Sequence, residues 1–399
     1  MIQLGAIGAP DVTAIAATAG GFIWHYLDLV DDSGSGVVLI WALGLPFLPG
    51  VAVGKRRRMG ERRGNPPVPA DEPALAVSVY REGMPIHYLL QRLPPGGVVW
   101  DEPGDRWRLG ENRITLTEGS DGELELCARL DLEVPGSERR VVGDITLQGP
   151  ACDLRQRRVG LVGGRHAWAP RLAPGRGRVH LRHGDETLID LQGRGYLDGN
   201  ASAEPLWELG IRRWTWLRFA LPDSEVVIYS LEPVGEGADR ALRVDIDRCG
   251  RASVQDGVRV EVEARSRSLW GPWRPQRLRV HGSGPPLEVR ATKVVDDGPF
   301  YQRFLIEGSF AGRRGPGVGE VVLPGRIDTP WLRPLVRMRV AGDPEGDSFW
   351  LPLFSGPRKG RLRRLLRLPE GAPAASPRAA SSRRAASPTT GRTAETGGT

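Results

Sequence analysis

Two short segments near the middle of the chain contain the residue types that could do chemistry. One has the pattern His-x-Trp, with His166 and Trp168, and the other has the pattern Tyr-x-Asp, with Tyr196 and Asp198. Residues two apart on a β-strand face the same side, so each segment would present a pair of functional side chains to one surface. If both surfaces line one cavity, an acid, an imidazole and two aromatic rings converge there, which would suit acid–base chemistry.

A third segment adds two indoles and a guanidinium by the same period of two, with Trp214, Trp216 and Arg218 on one face. Structural interpretations remain open for each segment. A histidine beside a tryptophan is commonly a packed, hydrogen-bonded core residue, and Tyr-x-Asp-x-Asn in a glycine-rich stretch is typical of a turn. The tryptophans could form a core, a cavity for a long apolar ligand or a sugar-binding face.

The composition predicts that strands, not helices, position these residues. The 399-residue chain has 53 glycines and 34 prolines, which break regular helix. Short strand-like runs between turn signals fill the chain from residue 75, and no long amphipathic helix interrupts them. The segments predicted to be strands include residues 75–80, 123–130, 178–181, 226–230 and 258–264.

The fold class predicted from this pattern is all-β, in two consecutive antiparallel barrels or sandwiches. A single core stops growing near ~250–300 residues, so we expect a division near residue 205. The N-terminal β domain would cover residues 1–205 and the C-terminal β domain residues 206–345, with a tail from 346 to 399.

The net charge of +7 does not predict nucleic-acid binding, because the tail carries it. Residues 346–399 contain ten Lys/Arg against three Asp/Glu, whereas residues 1–345 contain 45 of each. The tail lacks aromatic residues after its Arg/Leu stretch at residues 358–368, so we expect it to be mostly disordered. It is either simply solvated or touches an anionic membrane surface through that stretch.

Several motif classes are absent from the sequence. It has no Gly-x-Gly-x-x-Gly or phosphate-loop motif, no His-Glu-x-x-His or Cys-x-x-Cys pair and no Gly-x-Ser-x-Gly elbow. His180 and His183 are interpreted as surface residues instead of metal ligands. The three cysteines share no close spacing, which favours a reducing compartment over a disulfide scaffold.

Residues 36–54 are the single candidate for a membrane span. They are uncharged and precede a basic run, but glycines and prolines interrupt them. Residues 37–41 follow a hairpin-type turn and are better interpreted as a buried strand. The N-terminus lacks a basic region and a cleavage site, so no signal peptide is expected.

At the three segments with candidate functional residues, the sequence resembles the carotenoid 1,2-hydratase (hydroxyneurosporene synthase) family, within the wider group of two-domain lipocalin-like proteins. The resemblance runs through much of residues 20–340 and starts with the segment at residues 20–28, followed by residues 46–49. Its closing segment is residues 330–339. The specific part, in the family's order, is His166-x-Trp168, Gly195-Tyr196-x-Asp198-x-Asn200 and Trp214-x-Trp216-x-Arg218.

The resemblance implies addition of water to the terminal C1=C2 double bond of an acyclic carotenoid such as lycopene or neurosporene, with no cofactor and no metal. Asp198 would be the acid, since a cavity that holds a polyene would desolvate it and raise its pKa. Trp168 and Tyr196 would stabilise the carbocation, and His166 would orient Asp198 or take a proton from water. The residues assigned to substrate binding are Trp214, Trp216, Asn200 and Arg218, the last by holding a hydrogen-bond network.

The expected partners are the carotenoid and water, with peripheral membrane contact on the cytoplasmic side, because a C40 hydrocarbon resides in bilayers. Three alternatives remain: a carotenoid or lipid carrier, a cyclase or isomerase on the same scaffold, and a Trp-rich carbohydrate-active sandwich. The last would need two carboxylates ~5–10 Å apart. Only Asp198 stands out among the carboxylates, with Glu204 and Glu208 as weaker candidates.

Overall fold

The computed structural model describes a chain that is almost entirely β-sheet. Among the residues that the structure describes, the helical elements with defined bounds are one α-helix, α1 (Ala9–Ala16), and three single 3₁₀ turns, Pro69–Asp71, Leu206–Glu208 and Pro324–Arg326. The residues that the structure describes are 2–4, 9–48, 51, 66–100, 105–119, 121–134, 137–154, 157–159, 166–269, 271–327, 329, 332 and 339–341.

The strands of residues 2–202, together with the short strand at 339–341, form a 14-stranded sheet in which nearly all neighbours are antiparallel. Its order is β23-β5-β4-β3-β2-β13-β12-β10-β9-β8-β7-β6, and β1 and β11 pair beside β12. The strands are β1 (Ile2–Leu4), β2 (Phe22–Val30), β3 (Gly36–Leu43), β4 (Pro73–Arg81), β5 (Met84–Arg92), β6 (Val98–Trp100), β7 (Arg106–Leu109), β8 (Asn112–Glu118), β9 (Glu123–Leu132), β10 (Val141–Pro150), β11 (Arg157–Val159), β12 (His166–His183), β13 (Glu186–Ser202) and β23 (Arg339–Ala341).

The second half forms a 9-stranded antiparallel sheet in the order β17-β16-β15-β14-β22-β21-β20-β19-β18. Both sheets curl around their own apolar cores. The strands are β14 (Ile211–Leu221), β15 (Ser224–Pro233), β16 (Arg240–Asp247), β17 (Ala252–Asp256), β18 (Arg259–Arg267), β19 (Trp273–His281), β20 (Leu287–Asp297), β21 (Tyr301–Phe310) and β22 (Arg313–Val322).

Tight hairpins set the register of neighbouring strands. Between β4 and β5 both turn residues, Glu82 and Gly83, have positive φ angles of 49° and 66°. Ala311 and Gly312 repeat this arrangement between β21 and β22, with φ angles of 49° and 80°. Two-residue turns with both φ angles positive match the right-handed twist of the strands they join. β4 therefore pairs directly with β5, and β21 pairs directly with β22.

The buried side chains form three apolar clusters. One lies within the first sheet, around Leu27 and Leu130, and a second lies within the second sheet, around Phe219 and Val280. The third, which we call the inter-sheet core, combines aromatic residues of both sheets, among them Phe22, Trp24, Trp168, Trp214 and Tyr229. Because side chains on a strand alternate between faces, β2, β13 and β14 contribute to their own sheet's core and also to the inter-sheet core.

Polar contacts also join the two sheets. The Tyr88 hydroxyl of β5 donates to the Val295 carbonyl of β20 at 2.6 Å. The Arg303 guanidinium of β21 donates to the Tyr80 hydroxyl of β4 at 2.5 Å. Each group is buried, so loss of its partner would leave an unsatisfied polar atom. Each of these bonds crosses from one sheet to the other.

The predicted all-β class is confirmed, and the quoted strand segments, with residues 37–41 on β3, all fall on strands except for Val258, which comes one residue before β18. The described part of residues 36–54 is not helical, and no helix among the described residues is long and apolar enough to cross a membrane. The chain passes between the sheets at residues 203–210, where the predicted boundary near residue 205 falls. The division into two domains stays a prediction, and the tail at residues 346–399 lies outside the described residues.

Candidate active site

Two long neighbouring strands bring four of the predicted residues together. Antiparallel pairing of β12 with β13 places Trp168 opposite Asn200 and His166 opposite Ser202. Tyr196, Asp198 and Asn200 alternate along β13, so they face the same side. The proposed turn at Tyr196–Asn200 is therefore wrong: the segment is the end of a 17-residue strand.

Asp198 accepts three hydrogen bonds from side chains. Its Oδ2 accepts from Trp168 Nε1 at 2.8 Å and from the Tyr196 hydroxyl at 3.1 Å, and its Oδ1 accepts from Asn200 Nδ2 at 3.0 Å. Only 2 % of Asp198 is exposed. The carboxyl is thus held in one orientation, and Oδ1 carries fewer donors than Oδ2.

Burial raises the pKa of Asp198 from 3.8 to about 8. The donors Trp168 and Tyr196 act in the opposite direction, since they stabilise the carboxylate, while the negative charges of Glu320 and Asp28 raise the pKa further. Desolvation is the largest of these effects. The group is therefore a carboxylic acid at neutral pH, which is the protonation state that a general acid requires.

His166 is linked to Asp198 through the side-chain amide of Asn200. Its Nε2 lies 3.1 Å from Asn200 Oδ1 and 3.2 Å from the Tyr229 hydroxyl, whereas no partner of Nδ1 is found among the described residues. Burial lowers the pKa of His166 to about 4, so the imidazole is neutral at pH 7. Since Asn200 donates to Asp198, its oxygen accepts from the Nε2–H group of His166. The chain His166–Asn200–Asp198 orients the carboxyl.

A cavity in the inter-sheet core exposes one edge of this network. It has an empty volume of about 520 Å³, part of which is open solvent. Asp198 and Asn200 line it, whereas His166, Tyr196 and Arg218 do not. Its other lining residues are mostly apolar or aromatic: Trp24, Tyr26, Ile40, Leu45, Phe47, Trp168, Trp214, Trp216, Tyr301, Glu320 and Val322.

The predicted indoles Trp214 and Trp216 come from the opposite sheet. Alternation along β14 directs both into the inter-sheet core. The ring of Trp214 stacks on that of Trp24 at 5.9 Å, and the ring of Trp216 meets that of Tyr26 edge to face at 5.2 Å. Aromatic faces stabilise a nearby cation, so this wall suits a positively charged intermediate next to a buried acid.

Arg218, the third predicted residue on β14, lies in a buried ion triad. It pairs with Asp28 of β2 and with Glu225 of β15, the latter at 2.5 Å. Its guanidinium carbon lies 5.5 Å from the centre of the Tyr196 ring. With both carboxylates as partners, the guanidinium fixes β2 against β14 and supports the ring that donates to Asp198. Its contact with the site is therefore indirect.

Several cavity residues were missed by the sequence interpretation. Tyr26 shares a face of β2 with Trp24, and the alternation of large residues at positions 22, 24 and 26 is the signal that could have found both. Glu320 is the single charged residue in residues 315–322, an otherwise uncharged run. The weaker candidates Glu204 and Glu208 do not line the cavity.

No group of three or more metal-binding side chains occurs among the described residues. His180 is exposed and lies 3.1 Å from Asp190, in agreement with its interpretation as a surface residue. The predicted membrane-contact stretch at residues 358–368 and the closing segment at 330–338 fall outside the described residues, except for Leu332.

A family model and several known proteins match most of the chain. A family model described as "Carotenoid hydratase CrtC" matches residues 121–346, which include every predicted site residue. A "Hydroxyneurosporene dehydrogenase" of Chlorobaculum tepidum is 26 % identical over 342 residues, covering 80 % of this chain and 87 % of that protein. An "Acyclic carotenoid 1,2-hydratase" of Rubrivivax gelatinosus is 28 % identical over 330 residues, covering 79 % of this chain and 73 % of that protein.

A solved structure shares the fold. The crystal structure of a protein assigned as AttH from Nitrosomonas europaea superposes with a TM-score of 0.54 at 13 % sequence identity. The match covers 76 % of this chain and 92 % of that one. At this identity the likeness concerns the lipocalin-like two-sheet architecture alone.

Proposed function

The chain belongs to the carotenoid hydratase family, and on that premise we propose that it adds water to the terminal C1=C2 double bond of an acyclic carotenoid. The observation that carries the proposal is a carboxyl group that stays protonated at neutral pH inside an aromatic cavity. Such a group can protonate an isolated alkene, and the cavity wall can accommodate the cation that results. The reaction class is that of a hydro-lyase.

The first step is proton transfer from Asp198 to C2. The π electrons of the double bond form the new C2–H bond, and a tertiary carbocation develops at C1. Asp198 becomes a carboxylate that Trp168, Tyr196 and Asn200 are already positioned to hydrogen-bond. These donors are in place before the proton leaves, so little reorganisation is needed. Tyr196 serves the acid through its hydroxyl.

The aromatic wall then stabilises the carbocation. Trp168, Trp214 and Trp216 all line the cavity next to Asp198. A cation over an indole face gains up to ~2 kcal/mol where both are desolvated. Several faces together favour the cation without trapping it covalently, but they cannot replace the acid. Water then attacks C1 through an oxygen lone pair and loses one proton, which gives a tertiary 1-hydroxy product.

His166 serves as an orienting residue in this proposal. Its lowered pKa keeps it neutral, and Asn200 stands between it and Asp198. It is not among the residues that line the cavity, which argues against direct removal of a proton from the attacking water. Of the two roles considered for His166, the geometry supports orientation of Asp198.

We also propose that the protein takes its substrate from a membrane by peripheral contact on the cytoplasmic side, because a C40 hydrocarbon resides in bilayers. The basic stretch at residues 358–368 is the proposed contact, each basic residue being worth roughly 1 kcal/mol near an anionic surface. Sedimentation with anionic liposomes of the full chain and of a chain ending at Glu345 tests it. Equal binding of the two would remove the tail from the proposal.

The deciding experiment is mass spectrometry of lycopene incubated anaerobically with the protein in liposomes containing ¹⁸O-labelled water. Gain of one labelled water per reacted end is expected. Recovery of bound but unchanged lycopene would indicate a carrier, and rearranged lycopene of unchanged mass would indicate a cyclase or isomerase. The matched control is Asp198→Asn, checked for folding by circular dichroism; activity within threefold of the parent would exclude Asp198 as the acid.

A further inference from the structure

The hydroxyl of Tyr26 is a buried polar group at the edge of the cavity. Only 4 % of this residue is exposed, the residue lines the cavity, and its oxygen has no hydrogen-bond partner among the described residues. The ring nitrogen of Trp216, whose ring packs against Tyr26, is also buried and has no partner in the part of the chain that the structure describes. A hydrocarbon substrate cannot satisfy either group. Both therefore favour a polar occupant of about the size of water.

Glu320 is the second carboxylate of the cavity. Its position on β22 places it opposite Trp216 of β14 and opposite Arg303 of β21. Arg303 Nε donates to Glu320 Oε1 at 2.8 Å, and the Tyr301 hydroxyl also bonds to this carboxylate. Arg303 is 3 % exposed and donates to the Tyr80 hydroxyl as well, so the guanidinium is fixed from several sides.

The two carboxylates of the cavity differ in environment and in location. Asp198 belongs to the first sheet, is buried and has neutral donors around it. Glu320 belongs to the second sheet, is partly exposed and is paired with Arg303. Two carboxyl groups held in contrasting environments are a recognised arrangement for an acid and a base in one site. Electrostatic coupling places Glu320 near both Asp198 and Tyr26.

We propose that Tyr26 and Glu320 bind the water that attacks C1, and that Glu320 accepts the proton from this water. The inference rests on the proposed hydration and assigns its second half. Tyr26 can donate to or accept from the water, the Trp216 ring nitrogen can donate to it, and Glu320 accepts. A bound water commonly makes two to four such bonds.

The step balances without another reactant. A lone pair of the water oxygen forms the C1–O bond. The water O–H bond whose hydrogen faces Glu320 then breaks: the proton goes to the Glu320 carboxylate, and the electron pair of that bond stays on the oxygen of the product hydroxyl. One turnover leaves Asp198 without a proton and Glu320 with one. Because Glu320 is partly exposed at the cavity, its proton can return to solvent, and Asp198 can take one up when the product leaves.

The test separates water capture from alkene protonation. In D₂O, an enzyme that protonates C2 but fails to capture water returns the substrate with deuterium at C2, which mass spectrometry detects as a gain of one mass unit. Glu320→Gln keeps the size and the hydrogen bond to Arg303, and Tyr26→Phe removes only the unpartnered hydroxyl. The control is Tyr88→Phe, which removes a buried hydroxyl of the same core that does not line the cavity.

We expect Glu320→Gln to lower hydration of lycopene about 10²-fold while deuterium exchange into recovered lycopene persists. Tyr26→Phe should lower hydration about three- to tenfold, also with exchange retained, and Tyr88→Phe should match the parent in both assays if folded. Hydration within threefold of the parent in both test variants would overturn the inference, as would loss of exchange together with hydration in Glu320→Gln. A parent chain that shows neither hydration nor exchange would overturn the proposed function itself.

Discussion

Replacement of Asp198 by asparagine should abolish hydration and, at the same time, make the fold more stable at neutral and alkaline pH. The native state keeps this carboxyl protonated up to a pKa of about 8, whereas an unfolded chain ionises it near 3.8. Between these values the native state binds more protons than the unfolded state, so the free energy of unfolding falls as pH rises. An uncharged amide in the same place avoids this loss.

The size of the effect follows from the two pKa values. At pH 7 the solution is roughly 3 pH units above the pKa of Asp198 in the unfolded chain, so ionisation of this group stabilises the unfolded chain by about 4 kcal/mol. This value is an upper limit for the increase in the free energy of unfolding on Asp198→Asn. The amide also fits the site. The oxygen of the introduced amide can accept from Trp168 and Tyr196. Its NH₂ group can donate to the Asn200 oxygen if the Asn200 amide flips by 180°. The NH₂ group of Asn200 then faces His166 Nε2.

The assay is thermal unfolding of the parent and Asp198→Asn at pH 4 to 9, beside hydration of lycopene at each pH. We expect the variant to lose at least 10²-fold in activity, and its Tm to exceed that of the parent by a margin that grows with pH up to about 8. The control is Asp190→Asn, an exposed carboxylate whose pKa is lowered by its bond to Arg178. A Tm difference for Asp198→Asn that is negative or independent of pH would refute the argument.

Three further predictions concern the same network. The rate constant kcat/KM should fall tenfold per pH unit above about 8, since only the protonated Asp198 is active; a flat profile from pH 7 to 10 would contradict this. Trp168→Phe removes a donor that stabilises the carboxylate, so the alkaline limb of the pH–rate profile should move up by about 1–2 units. Arg218→Ala leaves Asp28 and Glu225 buried without their cation and should cost about 3–5 kcal/mol in urea unfolding; addition of Asp28→Asn and Glu225→Gln should recover part of this, and no recovery would argue against the ion triad as the cause.

The strands could be predicted because alternation and turn residues are local properties. His166, Trp168, Tyr196 and Asp198 converge because one hairpin joins β12 to β13, and three register shifts along the two strands set which residues lie opposite one another. The period of two predicts the pair on each strand but not the register shifts between the strands. The family resemblance added the chemistry, which the residue types alone left open.

On the opposite wall of the cavity, Trp214 and Trp216 were predicted from alternation along one strand, whereas Glu320 could not be predicted from the sequence. Glu320 stands 122 residues after Asp198 and reaches the cavity only because the second sheet packs on the first. Its selection among the 48 acidic residues needs that packing. Arg218 was placed with the substrate-binding residues on alternation and on the family resemblance, but its partner Asp28 lies 190 positions away. Long-range pairing of charges has no local signal.

The inter-sheet core also has a consequence for how the protein is made. The acid is on the first sheet, whereas Trp214, Trp216 and Glu320 are on the second, so the chain emerging from a ribosome carries its proton donor well before the walls that confine a cation. A half-made chain therefore lacks the part of the cavity wall that the second sheet supplies. We expect hydration only after the two sheets dock.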